Sequence, residues 1–222
     1  MNIKTFDQES TLLDELTQSI SSILSNAVSE TGKAKLLLSG GSTPGPLYKS
    51  LSNVELDWKN IKVGLVDERF VGQDSEYSNE TLIKQTLVQN KAKNAPVTGM
   101  VFDLDGRENN VKIANDRYAT FQERTDVMIL GMGPDGHTAS LFPGDSSSEE
   151  SLKGNGSGLL NTTAPSNPTE RISCSMNMIA DATHLFLFIK GANKLEVLKN
   201  TSENLPIHKL LKERDDIQIY YC

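Results

Sequence analysis

A chain of 222 residues that is 37% hydrophobic and 23% charged can bury one substantial core and has the composition of an ordinary globular protein. Its net charge of −7, with no Lys/Arg cluster, excludes broad nucleic-acid binding and means that an anionic ligand must be met by a few placed cations. Two cysteines, Cys174 and Cys222, give neither a disulfide framework nor metal-ligand spacing; Met1 to Ser10 lacks the apolar core of a signal peptide; and no stretch approaches a membrane span, so a cytoplasmic protein with no membrane partner is expected.

Leu12, Leu13, Leu16, Ile20, Ile23, Leu24 and Ala27 recur at helical spacing and predict an opening amphipathic helix. Ala34 to Leu38 reads as a short apolar strand running into Ser39-Gly40-Gly41-Ser42-Thr43-Pro44. There Thr43 is placed to cap a helix and Pro44 to take its first position, with Leu47 and Leu51 on the buried face. Ile61 to Val66 predicts a second strand, ending in Asp67-Glu68-Arg69. Leu82, Ile83 and Leu87 mark one helix; Val111, Ala114, Tyr118 and Phe121 mark another, which leads to a buried strand at 127–130. A Ser/Gly/Glu-rich stretch at 145–157 is expected to be a mobile loop. An apolar–polar strand follows Arg171; then come a strand from Leu185 to Ile189, a helix from Asn193 to Lys199, and a closing strand from Ile217 to Tyr221. Strands and helices alternate without a linker. This predicts a single α/β domain over 1–222, Rossmann-like, with a mostly parallel sheet covered by helices on both faces.

Three strand ends carry polar chemistry: 39–44, 67–69 and 131–138. An open α/β sheet gathers such ends at one edge, where ligands bind. The third end, Gly131-Met132-Gly133-Pro134-Asp135-Gly136-His137-Thr138-Ala139-Ser140, sets an acid beside an imidazole in a glycine-rich turn, and imidazole suits proton transfer near neutral pH. Gly131, Gly133 and Gly136 also satisfy the dinucleotide fingerprint G-x-G-x-x-G. Asp135 in the turn repels phosphate, Pro143 stops any helix after at most two turns, and the acids about 20 residues on, Glu149 and Glu150, lie in the polar stretch. A nicotinamide site is therefore rejected.

Each other candidate has a plainer reading. Ser39 to Thr43 is an anion cradle or a simple capped turn; it is no Walker A loop, because the required Lys is missing. Asp67-Glu68-Arg69 is a surface ion-pair cluster unless its place after a buried strand makes it functional. Arg171 and Lys194, taken alone, are solvated charges, although a Lys at a helix start opposes the helix dipole. His137 is favoured as catalytic by its turn; His184 and His208 have no such neighbours and receive no role. The three scattered histidines give no zinc spacing, and no metal or organic cofactor is expected. With no G-x-S-x-G elbow and no cysteine next to a histidine in sequence, covalent hydrolysis lacks a nucleophile, and His-activated water remains.

These residues resemble the short, single-domain 6-phosphogluconolactonases. The matching pieces, in family order, are Leu38 to Pro44, Asp67 to Arg69 with Ser78 and Asn79, the turn from Gly131 through Leu141-Phe142-Pro143, Arg171-Ile172, and Gly191 to Lys194. The related glucosamine-6-phosphate deaminases carry an Asn-Glu-Pro after the Gly-His segment and Asp-Glu-Tyr in place of Asp67-Glu68-Arg69; both departures favour the lactonase. The resemblance implies hydrolysis of 6-phospho-D-glucono-1,5-lactone in the oxidative pentose phosphate pathway. It further implies His137 as base, Asp135 orienting the imidazole or the turn, and Arg69 on the oxyanion or the substrate hydroxyls. Gly41, Ser42 and Thr43, with Arg171 and Lys194, would hold the phosphate. A sugar-phosphate deaminase or isomerase and a non-catalytic sugar-phosphate sensor stay open as alternatives, and a monomer is favoured.

Overall fold

A computed structural model describes residues 1–201 and 204–222. In chain order its elements are β1 (Ile3–Thr5), α1 (Glu9–Thr31), β2 (Ala34–Leu38), α2 (Gly45–Ser52), β3 (Ile61–Leu65), β4 (Asp67–Arg69), α3 (Asn79–Thr86), β5 (Val97–Thr98), α4 (Arg107–Glu123), β6 (Val127–Leu130), α5 (Ser146–Leu152), β7 (Leu159–Thr163), β8 (Glu170–Cys174), α6 (Met176–Ala180), β9 (His184–Ile189), α7 (Ala192–Lys199), α8 (Pro206–Glu213) and β10 (Gln218–Tyr221). Seven strands form one sheet in the order β1-β10-β9-β6-β2-β3-β5, every neighbouring pair parallel. All residues of β2 and β6 are buried, and successive side chains point to opposite faces, so both faces of the central sheet are covered. The α/β fold with a mostly parallel sheet is as expected from the alternating pattern.

The first helix shows how the pattern becomes packing. Leu12, Leu16, Ile20, Leu24 and Ala27 form its buried stripe, and each fully buried Leu or Ile contributes roughly 1.5–3 kcal/mol. The stripe lies against β2, β6 and β10, and Gly32 ends the helix with φ 77° while donating its N–H to Val28 O. No helix among the described residues is long and apolar enough to cross a membrane.

From β2 the sheet grows first toward β3 and β5, then on the other side through β6, β9, β10 and β1. Strand order therefore reverses between β2 and β6, and a crevice opens at their carboxyl ends. A second, three-stranded antiparallel sheet, β4-β8-β7, closes one side of that crevice. Val66 is the corner between the sheets: its N–H donates to Leu38 O in the large sheet, and its carbonyl accepts from Cys174 N in the small one. The strand expected to run to Val66 thus stops at Leu65 because Val66 serves both sheets.

Two local expectations are corrected. Thr43 does not cap α2: Pro44 occupies the cap position with helical backbone angles, no side-chain acceptor serves the helix, and Thr43 opens onto the crevice instead. The stretch 145–157 is not a loop throughout. Asp145 Oδ2 accepts from Ser148 N (2.8 Å) and Ser148 Oγ (2.7 Å), starting α5, whose Ser148 and Ser151 are buried.

Candidate active site

The crevice at the ends of β2, β3, β6 and β9 is a cleft of about 260 Å³. Strand β6 delivers the turn that sequence reasoning singled out. Gly133 N donates to His137 O (2.9 Å) and Gly136 N to Gly133 O (3.1 Å), so the turn folds back on itself and lifts the imidazole to the cleft wall. Asp135 Oδ1 lies 2.6 Å from His137 Nδ1 and also accepts from the His137 backbone N–H (3.3 Å). That acceptor places the ring proton on Nδ1 and leaves the Nε2 lone pair free. Behind the dyad the Phe142 ring centroid is 4.6 Å from that of the imidazole. Gly133 is required by close approach: a Cβ there would lie 2.2 Å from His137 Nδ1 and 2.6 Å from Asp135 Oδ1. Burial pushes the Asp135 carboxyl up, but the His137 imidazole outweighs it and holds the acid below the usual carboxylate range.

Two arginines come from the small sheet. Arg69 on β4 and Arg171 on β8 are register partners, so two like charges stand side by side at the cleft. Arg69 Nη1 donates to Tyr77 O (2.5 Å), and Arg171 Nε donates to Pro168 O (2.8 Å) while its guanidinium lies 5.9 Å from the Phe142 ring centroid. Burial, then the neighbouring Arg69 charge, lower the Arg171 pKa. Lys194 reaches the cleft from the first turn of α7, and burial lowers its pKa too. Among the described residues none of these three cations forms an ion pair with a carboxylate. A half-buried cation without a counter-ion is costly, and three around one cleft in an acidic chain make a place for an anion.

Gly41, Ser42 and Thr43 line the same cleft, after the end of β2. The structure thus brings seven of the eight sequence-derived residues, Gly41, Ser42, Thr43, Arg69, His137, Arg171 and Lys194, to one wall-to-wall site; Asp135 stands behind His137 rather than in the lining.

Three further polar residues of the lining stand in segments that the sequence marks, Ser39 in the cradle, Asp67 in the charged triplet and Asn79 in the Ser78-Asn79 match, but the sequence gives none of them a role of its own. Asp67 is buried, with Oδ2 accepting from Ser140 Oγ (2.5 Å). Ser39 Oγ and Asn79 Oδ1 are buried without a hydrogen-bond partner, one a donor and acceptor, the other an acceptor, both left for a hydroxylated ligand. The available signal was position alone, at the carboxyl ends of β2 and β3 and in the Ser78-Asn79 pair that opens α3. Glu68, by contrast, faces away from chemistry. It accepts from Ser78 Oγ (3.1 Å) and from the N–H groups of Arg69 (2.7 Å), Asn79 (2.8 Å) and Glu80 (2.8 Å), tying β4 to the start of α3. Burial pushes its carboxyl up to about 7 against those bonds.

Comparison with known proteins gives the family. Residues 7–218 match the family model described as glucosamine-6-phosphate isomerases/6-phosphogluconolactonase. The 6-phosphogluconolactonase of Rhizobium meliloti is 35% identical over 100% of this chain and 98% of its own length. That of Neisseria meningitidis serogroup B is 34% identical over 93% of each. The crystal structure of a 6-phosphogluconolactonase from Shewanella baltica superposes with a TM-score of 0.92 at 34% identity, covering 99% of this chain and 96% of that one.

Proposed function

The chain belongs to the glucosamine-6-phosphate isomerase/6-phosphogluconolactonase family, and we propose that its cleft hydrolyses 6-phospho-D-glucono-1,5-lactone to 6-phospho-D-gluconate, a step of the oxidative pentose phosphate pathway. The observation that carries this reading is one imidazole, oriented by a carboxylate at 2.6 Å, facing the same cleft as three cations that have no counter-ion among the described residues.

The lactone carbonyl is already electrophilic, so hydrolysis needs a base for water and a place for the developing negative charge. With its proton on Nδ1, held by Asp135, His137 takes the water proton at Nε2 as the oxygen adds to C1. The tetrahedral oxyanion is stabilised by Arg69. As the C1–ring-oxygen bond breaks, the imidazolium returns the proton to the leaving oxygen, and Asp135 stabilises the cation in between. Arg171 supplies a planar fork and Lys194 a point charge to the phosphate, with the hydroxyls and backbone of Gly41, Ser42 and Thr43 completing the grip. Binding energy from that remote phosphate aligns C1 with the water. The residues supply acid, base and charge themselves, so the reaction runs without a cofactor. One domain, acting as a monomer in the cytoplasm, suffices for this chemistry.

A deaminase of the same family needs a carboxylate after the Gly-His segment to open the sugar ring. Here Leu141 and Phe142 stand there, both buried and apolar. The test runs fresh lactone and glucosamine 6-phosphate on one purified preparation, with spontaneous lactone hydrolysis subtracted. The expected result is 6-phosphogluconate release and no ammonia. Ammonia release without lactone hydrolysis above background would overturn the lactonase reading in favour of the deaminase. Tight 6-phosphogluconate binding without turnover would favour a sensor.

A further inference from the structure

The geometry points to His208 as a positioning residue, a single buried imidazole that ties the helix carrying Lys194 to the turn carrying His137. His208 is 1% exposed and lies outside the cleft lining. Its Nδ1 accepts from Leu205 N (3.2 Å), the cap residue of α8. Because that nitrogen accepts, the ring proton sits on Nε2, which donates to Val197 O (2.9 Å). Val197 is in the last turn of α7, where helix carbonyls have no partner within the helix. One ring therefore closes the end of α7 and the beginning of α8.

Both helices lead to the cleft. Lys194 is three residues before Val197, on the same side of α7, and faces the cleft. On the other arm, Ile207 N donates to Gly136 O (3.1 Å), and Leu205 packs so closely on Gly136 that a Cβ there would lie 2.5 Å from Leu205 Cδ1. Gly136, held at φ 76°, is the residue before His137. The chain of contacts runs Lys194–Val197–His208–Leu205–Gly136–His137. Loss of the ring's two bonds frees both ends at once: the phosphate cation and the base drift relative to each other. The kinetic part of this inference rests on the proposed lactonase reading; the mechanical coupling does not.

A Gln side chain carries a donor and an acceptor about as far apart as the two imidazole nitrogens, whereas Leu fills the space and offers neither. The experiment compares wild type, His208→Leu and His208→Gln by amide hydrogen exchange and by lactone kinetics. In His208→Leu, exchange is expected to rise together in residues 192–199 and 134–138, with little change in β2 or β6. KM for the lactone should rise, kcat should fall, and kcat/KM should drop roughly 10–100-fold, the scale of a ~1 Å misplacement. His208→Gln should restore protection and KM. Loss of protection in only one of the two segments, or in neither, overturns the coupling, as does a Gln variant that behaves like Leu. A fall in kcat with KM unchanged would mean a general packing defect and would also overturn it. If His208→Leu does not fold, the Gln variant decides, since the proposal requires it to match wild type in both segments. Wild type that hydrolyses no lactone defeats the functional reading, and exchange alone then judges His208.

Discussion

The two sheets divide the site between them. The parallel sheet supplies the His137 turn from β6 and the Gly41–Thr43 segment from β2; the small antiparallel sheet supplies Arg69 and Arg171 from adjacent strands. Placing a base needs a rigid strand end buried on both faces, and β6 provides one. Placing two guanidinium groups side by side needs cross-strand register, which an antiparallel pair gives directly. The base and the two guanidinium groups are thus anchored in separate pieces of architecture, joined at Val66 and at the Asp67–Ser140 hydrogen bond, while Lys194 on α7 after β9 stands on the parallel side. Damage to one should leave the other measurable.

The largest effect is expected on the parallel side. His137→Asn should cut kcat by roughly 10²–10⁴-fold, the span of lost general-base catalysis, without unfolding the chain, because the side chain is partly exposed in a turn. Steady-state kinetics on a variant with unchanged circular dichroism checks it. On the antiparallel side, Arg171→Lys keeps the charge but loses the fork and the contact over Phe142. KM should rise roughly tenfold, as for a lost charge-assisted hydrogen bond, with kcat near wild type; a kcat defect of the His137 size would erase the division. Lys194→Ala should weaken calorimetric binding of 6-phosphogluconate several-fold and leave the weak binding of gluconate alone. Equal losses for both ligands would put Lys194 outside the phosphate site. The smallest effect concerns scaffold alone. Asp145→Ala removes the cap of α5, which packs on β7, and should cost about 1 kcal/mol, a Tm drop of about 2–4 °C, with KM and kcat unchanged.

The same contrast governs what the sequence makes legible. Strands of the large sheet read clearly because burial on both faces demands apolar runs such as Ala34 to Leu38 and Val127 to Leu130. The small sheet does not read as a sheet. Its strand β7 is Leu-Leu-Asn-Thr-Thr, and β4 is three charged residues whose extended shape comes from pairing with β8. Helix α5 is hidden for a similar reason. Its serines look like loop composition, yet Ser148 Oγ accepts from Phe142 N and Ser151 Oγ from Met176 N, bonds that only the tertiary fold supplies. The His137 turn is visible because glycines and an acid surround it. Arg171 and Lys194 are ordinary surface charges until the fold brings them into one cleft, so only the family resemblance singles them out. Ser39 and Asp67 stand inside segments that the sequence marks, yet nothing local gives either a role of its own, and Asn79 is marked by the family resemblance alone.

Lactone kinetics of wild type, His137→Asn and Arg171→Ala, measured side by side with spontaneous hydrolysis subtracted, test the division of labour most directly. His137→Asn is expected to lose kcat with KM nearly unchanged, while Arg171→Ala is expected to raise KM and keep most of kcat. Near-wild-type turnover in folded His137→Asn, or the two patterns reversed, would contradict that division.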